Sequence, residues 1–75
     1  MKKVEIEYCV TCNYRPIAAN LGIAIERAVA VKPVLVQSNV SGAFEVLVDG
    51  ERVFSKTASG RFPDHAEIIK LLQEK

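Results

Sequence analysis

KVEIEYCVTC, residues 3–12, joins a strand-like alternation to two cysteines three positions apart. Charged and apolar residues alternate strictly from Lys3 to Tyr8, which is the period of a strand with one polar face. Cys9 and Cys12 follow directly, and the two residues between them let the sulfurs meet without unfolding the chain. Because a thiolate attacks disulfides and a neighbouring thiol resolves the mixed disulfide, the stretch predicts a redox-active pair at the end of the first strand.

A helical pattern follows the cysteines. Between Pro16 and Val31, apolar residues fall within one stripe at a spacing of about 3.6 residues, and these residues are Ile17, Leu21, Ala24, Ile25 and Ala28. Pro16 suits the first turn of a helix, and Pro33 ends the helix because proline lacks the N–H that a continuing helix needs. The sequence therefore predicts a first helix from Pro16 to Val31 and then a short buried strand over residues 34–36.

The second half of the chain predicts a hairpin and a closing helix. Residues 43–48 and 52–56 are β-rich and are joined through Asp49-Gly50, the dipeptide most favoured in a two-residue type I′ turn. Residues 37–42 and 57–63 are predicted loops. Asp64 and Glu67 have the spacing of an acidic capping box, which introduces a second helix whose predicted face carries His65, Ile68, Ile69 and Leu72.

The order strand, helix, strand, hairpin, helix predicts an α/β fold. A right-handed crossover makes the first two strands parallel, and the hairpin adds two antiparallel strands, so a mixed four-stranded sheet is expected. This is a minimal thioredoxin-like arrangement, with the CxxC at the carboxyl end of strand one and near the start of helix one. A chain of 75 residues with 49% hydrophobic content suits a single domain, predicted over residues 1–75.

Composition and charge exclude several classes of function. A net charge of +1 provides no basic face for nucleic acid. Because Glu5 and Glu7 interrupt the apolar region that a signal peptide needs, no secretion signal is expected, and no run of apolar residues is long enough to span a membrane. A cytoplasmic protein, monomeric or weakly dimeric, is expected. Because the cytoplasmic thiol pool keeps structural disulfides reduced, the cysteine pair is predicted to perform chemistry.

The predicted site extends beyond the two catalytic cysteines. By thioredoxin-fold logic, Cys9 is the exposed nucleophile, and Cys12 lies deeper in the helix and resolves the mixed disulfide. Since no cation lies between them, a lowered thiol pKa is expected to come mostly from backbone N–H groups. Four residues form a predicted substrate-binding rim, namely Tyr14, Ser41, Gly42 and Phe62.

Metal and cofactor sites are not expected. Tetrahedral zinc needs four ligands, and only His65 is available beyond the cysteine pair, unless a symmetric dimer supplies two pairs. The structural alternative is that both cysteines are unreactive core residues, since free cysteine packs as a small hydrophobic residue. The position that thioredoxins fill with a cis-proline also has no proline here, because the prolines are Pro16, Pro33 and Pro63.

Four segments in order resemble a known family. They are Tyr8-Cys9-x-x-Cys12-x-Tyr14-x-Pro16, Gly42-Ala43-Phe44-Glu45-Val46, Val53-Phe54-Ser55-Lys56 and Gly60-Arg61-Phe62-Pro63. Together they resemble the selenoprotein W related proteins of the Rdx group. The resemblance implies a thioredoxin-like fold and a thiol redox role with glutathione, a thioredoxin-type protein or another protein as partner. It also implies that Cys12 matches the selenocysteine of selenoprotein members, so the attacking cysteine remains open between Cys9 and Cys12.

Two functions are consistent with these features. The first is a thiol–disulfide oxidoreductase that cycles Cys9 and Cys12 between dithiol and disulfide, with glutathione as a possible co-substrate. The second is a redox-responsive binding module, in which oxidation of the pair changes affinity for a protein partner without catalysis.

Overall fold

The computed structural model describes residues 3–74. They form β1 (Val4–Cys9), α1 (Arg15–Val29), β2 (Val34–Ser38), β3 (Phe44–Val48), β4 (Glu51–Ser55), α2 (Lys56–Ser59) and α3 (His65–Glu74). The strands make one sheet in the order β2-β1-β3-β4. β1 pairs parallel with β2 and antiparallel with β3, and β3 pairs antiparallel with β4. The predicted mixed four-stranded sheet is therefore confirmed, and the predicted domain bounds extend to residues outside the described range.

One face of the sheet carries the hydrophobic core. The strand alternation of β1 is confirmed, because Val4, Ile6 and Tyr8 are buried while Glu5 and Glu7 are only half-buried. α1 and α3 pack against each other and share this core with the sheet. The buried residues of the cluster are Val4, Ile6, Tyr8, Ala18, Leu21, Ile25, Phe44, Val46, Val48, Phe54, Ile68 and Leu72.

The buried face of α1 differs from the predicted stripe. Ala18, Leu21, Gly22 and Ile25 are buried, whereas Ile17 and Ala28 are exposed and Ala24 is half-buried. The helix is rotated so that the small residues Ala18 and Gly22 are buried, and a Cβ at Gly22 would lie at ordinary van der Waals distance, 4.0 Å, from Leu35. α1 also ends earlier than predicted, because Ala30 adopts a left-handed conformation with φ of 58° and donates its N–H to the Glu26 carbonyl.

Three smaller predictions need correction. β2 lies at the edge of the sheet, so Val34 is 50% exposed rather than buried, and β2 continues to Ser38 into the predicted loop. The predicted loop over residues 57–63 contains most of α2, whose first residue is Lys56. The Ser55 hydroxyl caps α2 by accepting the Ala58 N–H at 3.2 Å. In α3, Ile68 and Leu72 of the predicted face are buried, and His65 in the first turn is exposed.

The predicted hairpin is confirmed. Val48 pairs with Glu51 across a two-residue turn, and both turn residues have positive φ, 52° at Asp49 and 84° at Gly50, as a type I′ turn requires. The Asp49 N–H donates to the Lys3 carbonyl at 2.7 Å, so the turn is also tied to the start of β1.

Replacing Gly50 by valine should destabilise the protein. A β-branched side chain is strained at positive φ, so we expect Gly50→Val to lower the free energy of unfolding by about 1–2 kcal/mol. Gly50→Asn is the matched control. Because asparagine tolerates the left-handed region, this variant should lose less of the free energy of unfolding. Urea unfolding measures both changes. Equal stability of Gly50→Val and the parent protein would argue against the type I′ turn.

Candidate active site

The two cysteines lie on either side of a tight turn at the end of β1. Cys9 is the last residue of β1, and its N–H donates to the Ala43 carbonyl at 2.9 Å, which ties the strand end to the segment before β3. Residues 10–13 then turn back, closed by the Asn13 N–H donating to the Val10 carbonyl at 3.0 Å. Asn13 has φ of 60°, in the left-handed region that asparagine tolerates. The turn returns the chain toward Cys9, and both cysteines are free thiols.

Hydrogen bonds lower the pKa of the Cys9 thiol to about 6. The largest cause is the Cys12 thiol, followed by the Thr11 hydroxyl, and then the backbone N–H of Gly42. The Thr11 oxygen lies 3.3 Å from the Cys9 sulfur. Burial of Cys9 opposes these bonds, and the backbone of Cys12 adds to them. Because hydrogen-bond donors favour the charged form, these contacts stabilise Cys9 as a thiolate.

Three expectations about the cysteines are wrong. Cys9 was expected to be the exposed thiol, yet it is only 2% exposed, because it continues the strand into a region covered by the segment before β3. Cys12 was expected deeper in the helix, yet it is half-buried and lies in the turn, three residues before α1 begins. The lowered pKa also has a different main source from the predicted backbone N–H groups, since two side chains, those of Cys12 and Thr11, contribute most.

A cleft of about 290 Å³ opens beside Cys9. Its walls come from the end of β1, the turn that follows, and the end of β2 with its loop, and the lining residues are Cys9, Val10, Thr11, Gln37, Ser38, Asn39, Val40 and Ser41. Apart from the ionisable Cys9 thiol, all of these side chains are uncharged. Val10 and Val40 are 47% and 59% exposed. The cleft borders Cys9, which the rest of the fold covers.

The structure separates the predicted rim into two parts. Ser41 lines the cleft, and Gly42 donates its N–H to Cys9. Tyr14 and Phe62 instead form an aromatic cluster with Phe44, with ring centroids 4.8 Å apart for Tyr14 and Phe62 and 5.3 Å apart for Phe44 and Phe62. Neither Tyr14 nor Phe62 lines the cleft, and both pack against the core.

Two cations near this cluster are engaged within the fold. The Lys56 ammonium lies 5.6 Å from the Tyr14 ring centroid and 5.2 Å from that of Phe62, in cation–π geometry. Arg61 forms a bidentate pair with Glu67, with N–O distances of 2.9 and 2.8 Å. This pair raises the pKa of Arg61 and lowers that of Glu67. The two cations therefore hold the segment between α2 and α3 in place.

Sequence reasoning missed two residues that shape this end of the molecule. Thr11 has no role in the sequence-based prediction, yet its hydroxyl lies 3.3 Å from the Cys9 sulfur. Glu45 was part of a strand pattern, yet it is only 6% exposed. Its carboxylate accepts the Ser55 hydroxyl at 2.7 Å and the Lys56 N–H at 3.0 Å. Glu45 thereby fixes the start of α2 against β3.

Residues 3–74 form neither a metal-binding cluster nor a membrane-spanning helix. In this range, no three His, Cys, Asp or Glu side chains come together in a group that could hold a metal ion. None of the helices in the described part of the chain has the length and apolar character needed to cross a membrane.

Similarity to curated proteins extends along most of the chain. It is 27% identical over 71 residues to migration and invasion enhancer 1 of Bos taurus, and 26% identical over 70 residues to the protein of that name from Mus musculus. The alignments cover 95% and 93% of this chain but 62% and 61% of those proteins. The chain therefore spans less than two thirds of the length of these relatives.

Solved structures share the fold at low sequence identity. A selenoprotein W-related protein from Vibrio cholerae superposes with a TM-score of 0.86 at 21% identity, covering 97% of this chain and 94% of that one. A protein from Bordetella parapertussis superposes with a TM-score of 0.90 at 18% identity, covering 97% and 95%. These likenesses confirm the predicted thioredoxin-like α/β fold.

The model of the Rdx family matches residues 3–74, and the chain belongs to that family.

Proposed function

We propose that the protein is a thiol–disulfide redox protein that cycles Cys9 and Cys12 between dithiol and disulfide. The observation that carries this proposal is the Cys9 thiol, whose pKa is lowered to about 6 by hydrogen bonds from Cys12 and Thr11 beside an open cleft. Membership of the Rdx family supports a redox role. At pH 7 a thiol with this pKa is about 90% thiolate, against about 3% for an ordinary thiol.

The first step is attack by the Cys9 thiolate on a disulfide that enters the cleft. A bond forms between the Cys9 sulfur and one substrate sulfur, and the other substrate sulfur leaves as a thiolate. Cys9 is the better candidate for this attack because it borders the cleft and carries the lowered pKa. Cys12 is more exposed and is the position that the family resemblance favours, so the experiment below distinguishes the two.

The second step closes the internal disulfide. Cys12 gives its proton to the departing thiolate or to water, and its sulfur attacks the Cys9 sulfur. The second substrate thiolate then leaves. Two electrons pass from the protein dithiol to the substrate disulfide, which becomes two thiols. The reverse sequence oxidises a substrate dithiol, and the low pKa of Cys9 favours that direction because it stabilises the reduced protein.

The partner and the compartment belong to the same proposal. Glutathione, a thioredoxin-type protein or another protein thiol would restore the starting state. A cytoplasmic location suits the chemistry, because the reducing thiol pool there returns an oxidised pair to its dithiol form.

A trapping experiment tests the proposal and assigns the attacking sulfur. Reduced Cys12→Ser protein, mixed with hydroxyethyl disulfide, should accumulate a mixed disulfide on Cys9, because the resolving thiol is absent. Cys9→Ser is the matched variant and should form an adduct on Cys12 much more slowly. Intact and peptide mass spectrometry locate both adducts. A fast adduct on Cys12 with none on Cys9 would reverse the roles of the two cysteines. Two unreactive cysteines would overturn the proposed function and would also exclude the redox-responsive binding module, which requires oxidation of the pair.

A further inference from the structure

The cleft beside Cys9 indicates a class of substrate. We propose that it takes a disulfide carried by an extended, uncharged polypeptide segment in preference to glutathione disulfide. This inference rests on the proposed function and goes further, because it states what the redox site binds. Three features of the described residues carry it: the charge of the cleft, the free edge of β2, and the two exposed valines on the cleft wall.

The lining of the cleft does not suit glutathione. Each glutathione unit carries two carboxylates, and a carboxylate that leaves water needs a cation or several donors to replace its hydration. The eight lining residues provide no cationic side chain, and the Cys9 thiolate adds a negative charge. Lys56 and Arg61, cations of the α2 region, are held by the aromatic rings and by Glu67. Glutathione disulfide would therefore enter the cleft without compensation for its charges.

The edge of the sheet suits an extended chain. β2 pairs with β1 along one side, and the strand order places no other described strand on its outer side. Such an edge presents a row of backbone N–H and C=O groups that a partner strand can pair with. Gln37 and Ser38, the last two residues of β2, line the cleft. A peptide paired along β2 is thus led toward Cys9.

The apolar part of the wall suits uncharged side chains. Val10 and Val40 are among the few exposed large hydrophobic residues of the described chain, and both line the cleft. They are placed to contact residues on either side of a substrate cysteine. Backbone pairing would provide affinity, and the valines would select against charged neighbours. The chemistry remains the exchange described above: the peptide disulfide is reduced to two peptide thiols, and the protein dithiol is oxidised.

The test compares single-turnover reactions of the reduced protein with three disulfides. Hydroxyethyl disulfide reports the basic chemistry. Glutathione disulfide is the anionic substrate. The third is the disulfide dimer of an acetylated, amidated peptide in which cysteine stands between threonine and valine residues. We expect the peptide to react at least roughly tenfold faster than glutathione disulfide. The same peptide with N-methylated backbone amides, which cannot pair with the β2 edge, should lose most of that advantage.

Variants of the protein test the role of charge. Val40→Lys adds a cation to the cleft at an exposed position and should raise the rate with glutathione disulfide several-fold. Ile23→Lys adds the same charge to an exposed position on α1, away from the cleft, and should not change that rate. Equal rates for peptide and glutathione disulfide, while hydroxyethyl disulfide still reacts, would overturn the substrate proposal alone. Failure with all three disulfides would overturn the proposed function as well.

Discussion

Iodoacetamide should alkylate Cys9 with a midpoint near pH 6, because hydrogen bonds from Cys12 and Thr11 lower the pKa of this thiol to about 6. At pH 6 about half of Cys9 is thiolate, against about 0.3% of an ordinary thiol with a pKa near 8.5. A less basic thiolate is intrinsically less nucleophilic, and this reduces the rate increase from the larger thiolate fraction about tenfold. The expected net acceleration at pH 6 is therefore about tenfold over the same cysteine in urea-unfolded protein, measured by peptide mass spectrometry.

Thr11 variants serve as controls for this prediction. Thr11 is exposed, so substitution should leave the fold intact. Thr11→Val removes the hydroxyl that lies 3.3 Å from the Cys9 sulfur and should move the midpoint to higher pH. Thr11→Ser keeps a hydroxyl and should keep the low midpoint. A Cys9 midpoint near 8.5 in the parent protein would show that the hydrogen bonds do not stabilise the thiolate.

The lowered pKa also makes the stability of the reduced protein depend on pH. The pKa of Cys9 is depressed on folding, so its contribution to stability is present in full above the unfolded value near 8.5 and is lost as pH falls through about 6. The sign follows because the unfolded thiol binds the proton more tightly across that window. Oxidation removes this contribution, since the disulfide carries no thiolate.

Phe44→Ala should have the largest effect on stability. Phe44 is 0% exposed and packs edge-on against Phe62 and Tyr14, with centroids 5.3 and 6.5 Å away. Truncation of a buried phenylalanine costs about 3–5 kcal/mol, whereas a domain of 75 residues has a total stability of roughly 4–11 kcal/mol. We therefore expect the variant to lose at least about a quarter of its free energy of unfolding and to be partly unfolded at 37 °C if the parent lies at the low end.

The control for Phe44 is its partner in the aromatic cluster. Phe62 is only half-buried. When both variants are unfolded in urea, Phe62→Ala should therefore lower the free energy of unfolding clearly less than Phe44→Ala. Phe44 also follows Ala43, whose carbonyl accepts the Cys9 N–H at 2.9 Å. Loss of the ring should therefore loosen the cysteine site as well as the core. A loss below about 1 kcal/mol would mean that Phe44 does not anchor the cluster.

Local patterns predicted most of the fold. The alternation before Cys9 and the Asp49-Gly50 turn depend on residues close in sequence, and both were confirmed. The buried face of α1 was not predicted, because an apolar periodicity does not show which side of the helix the sheet covers. Ala18 and Gly22 are buried, whereas Ile17 is exposed. The short helix α2 is only four residues long, too short for a periodic pattern.

The site was harder to predict than the fold. The CxxC spacing indicated a cysteine pair, but the burial of Cys9 depends on the segment that ends at Ala43, about thirty residues later in the sequence. The same long-range packing places Gly42 beside the thiol, which the thioredoxin-like topology did anticipate. The bond from Thr11 is local, yet a threonine between two cysteines has many possible orientations. Only the structure distinguishes the side-chain donors from the backbone.

A redox titration tests the central claim most directly. The protein is equilibrated in glutathione buffers of increasing oxidised fraction, quenched with acid, and analysed by intact and peptide mass spectrometry. We predict a reversible loss of about two daltons, the mass of two hydrogens, located to a Cys9–Cys12 disulfide and absent from Cys9→Ser and Cys12→Ser proteins. Two thiols that never pair at any ratio of oxidised to reduced glutathione would contradict the account.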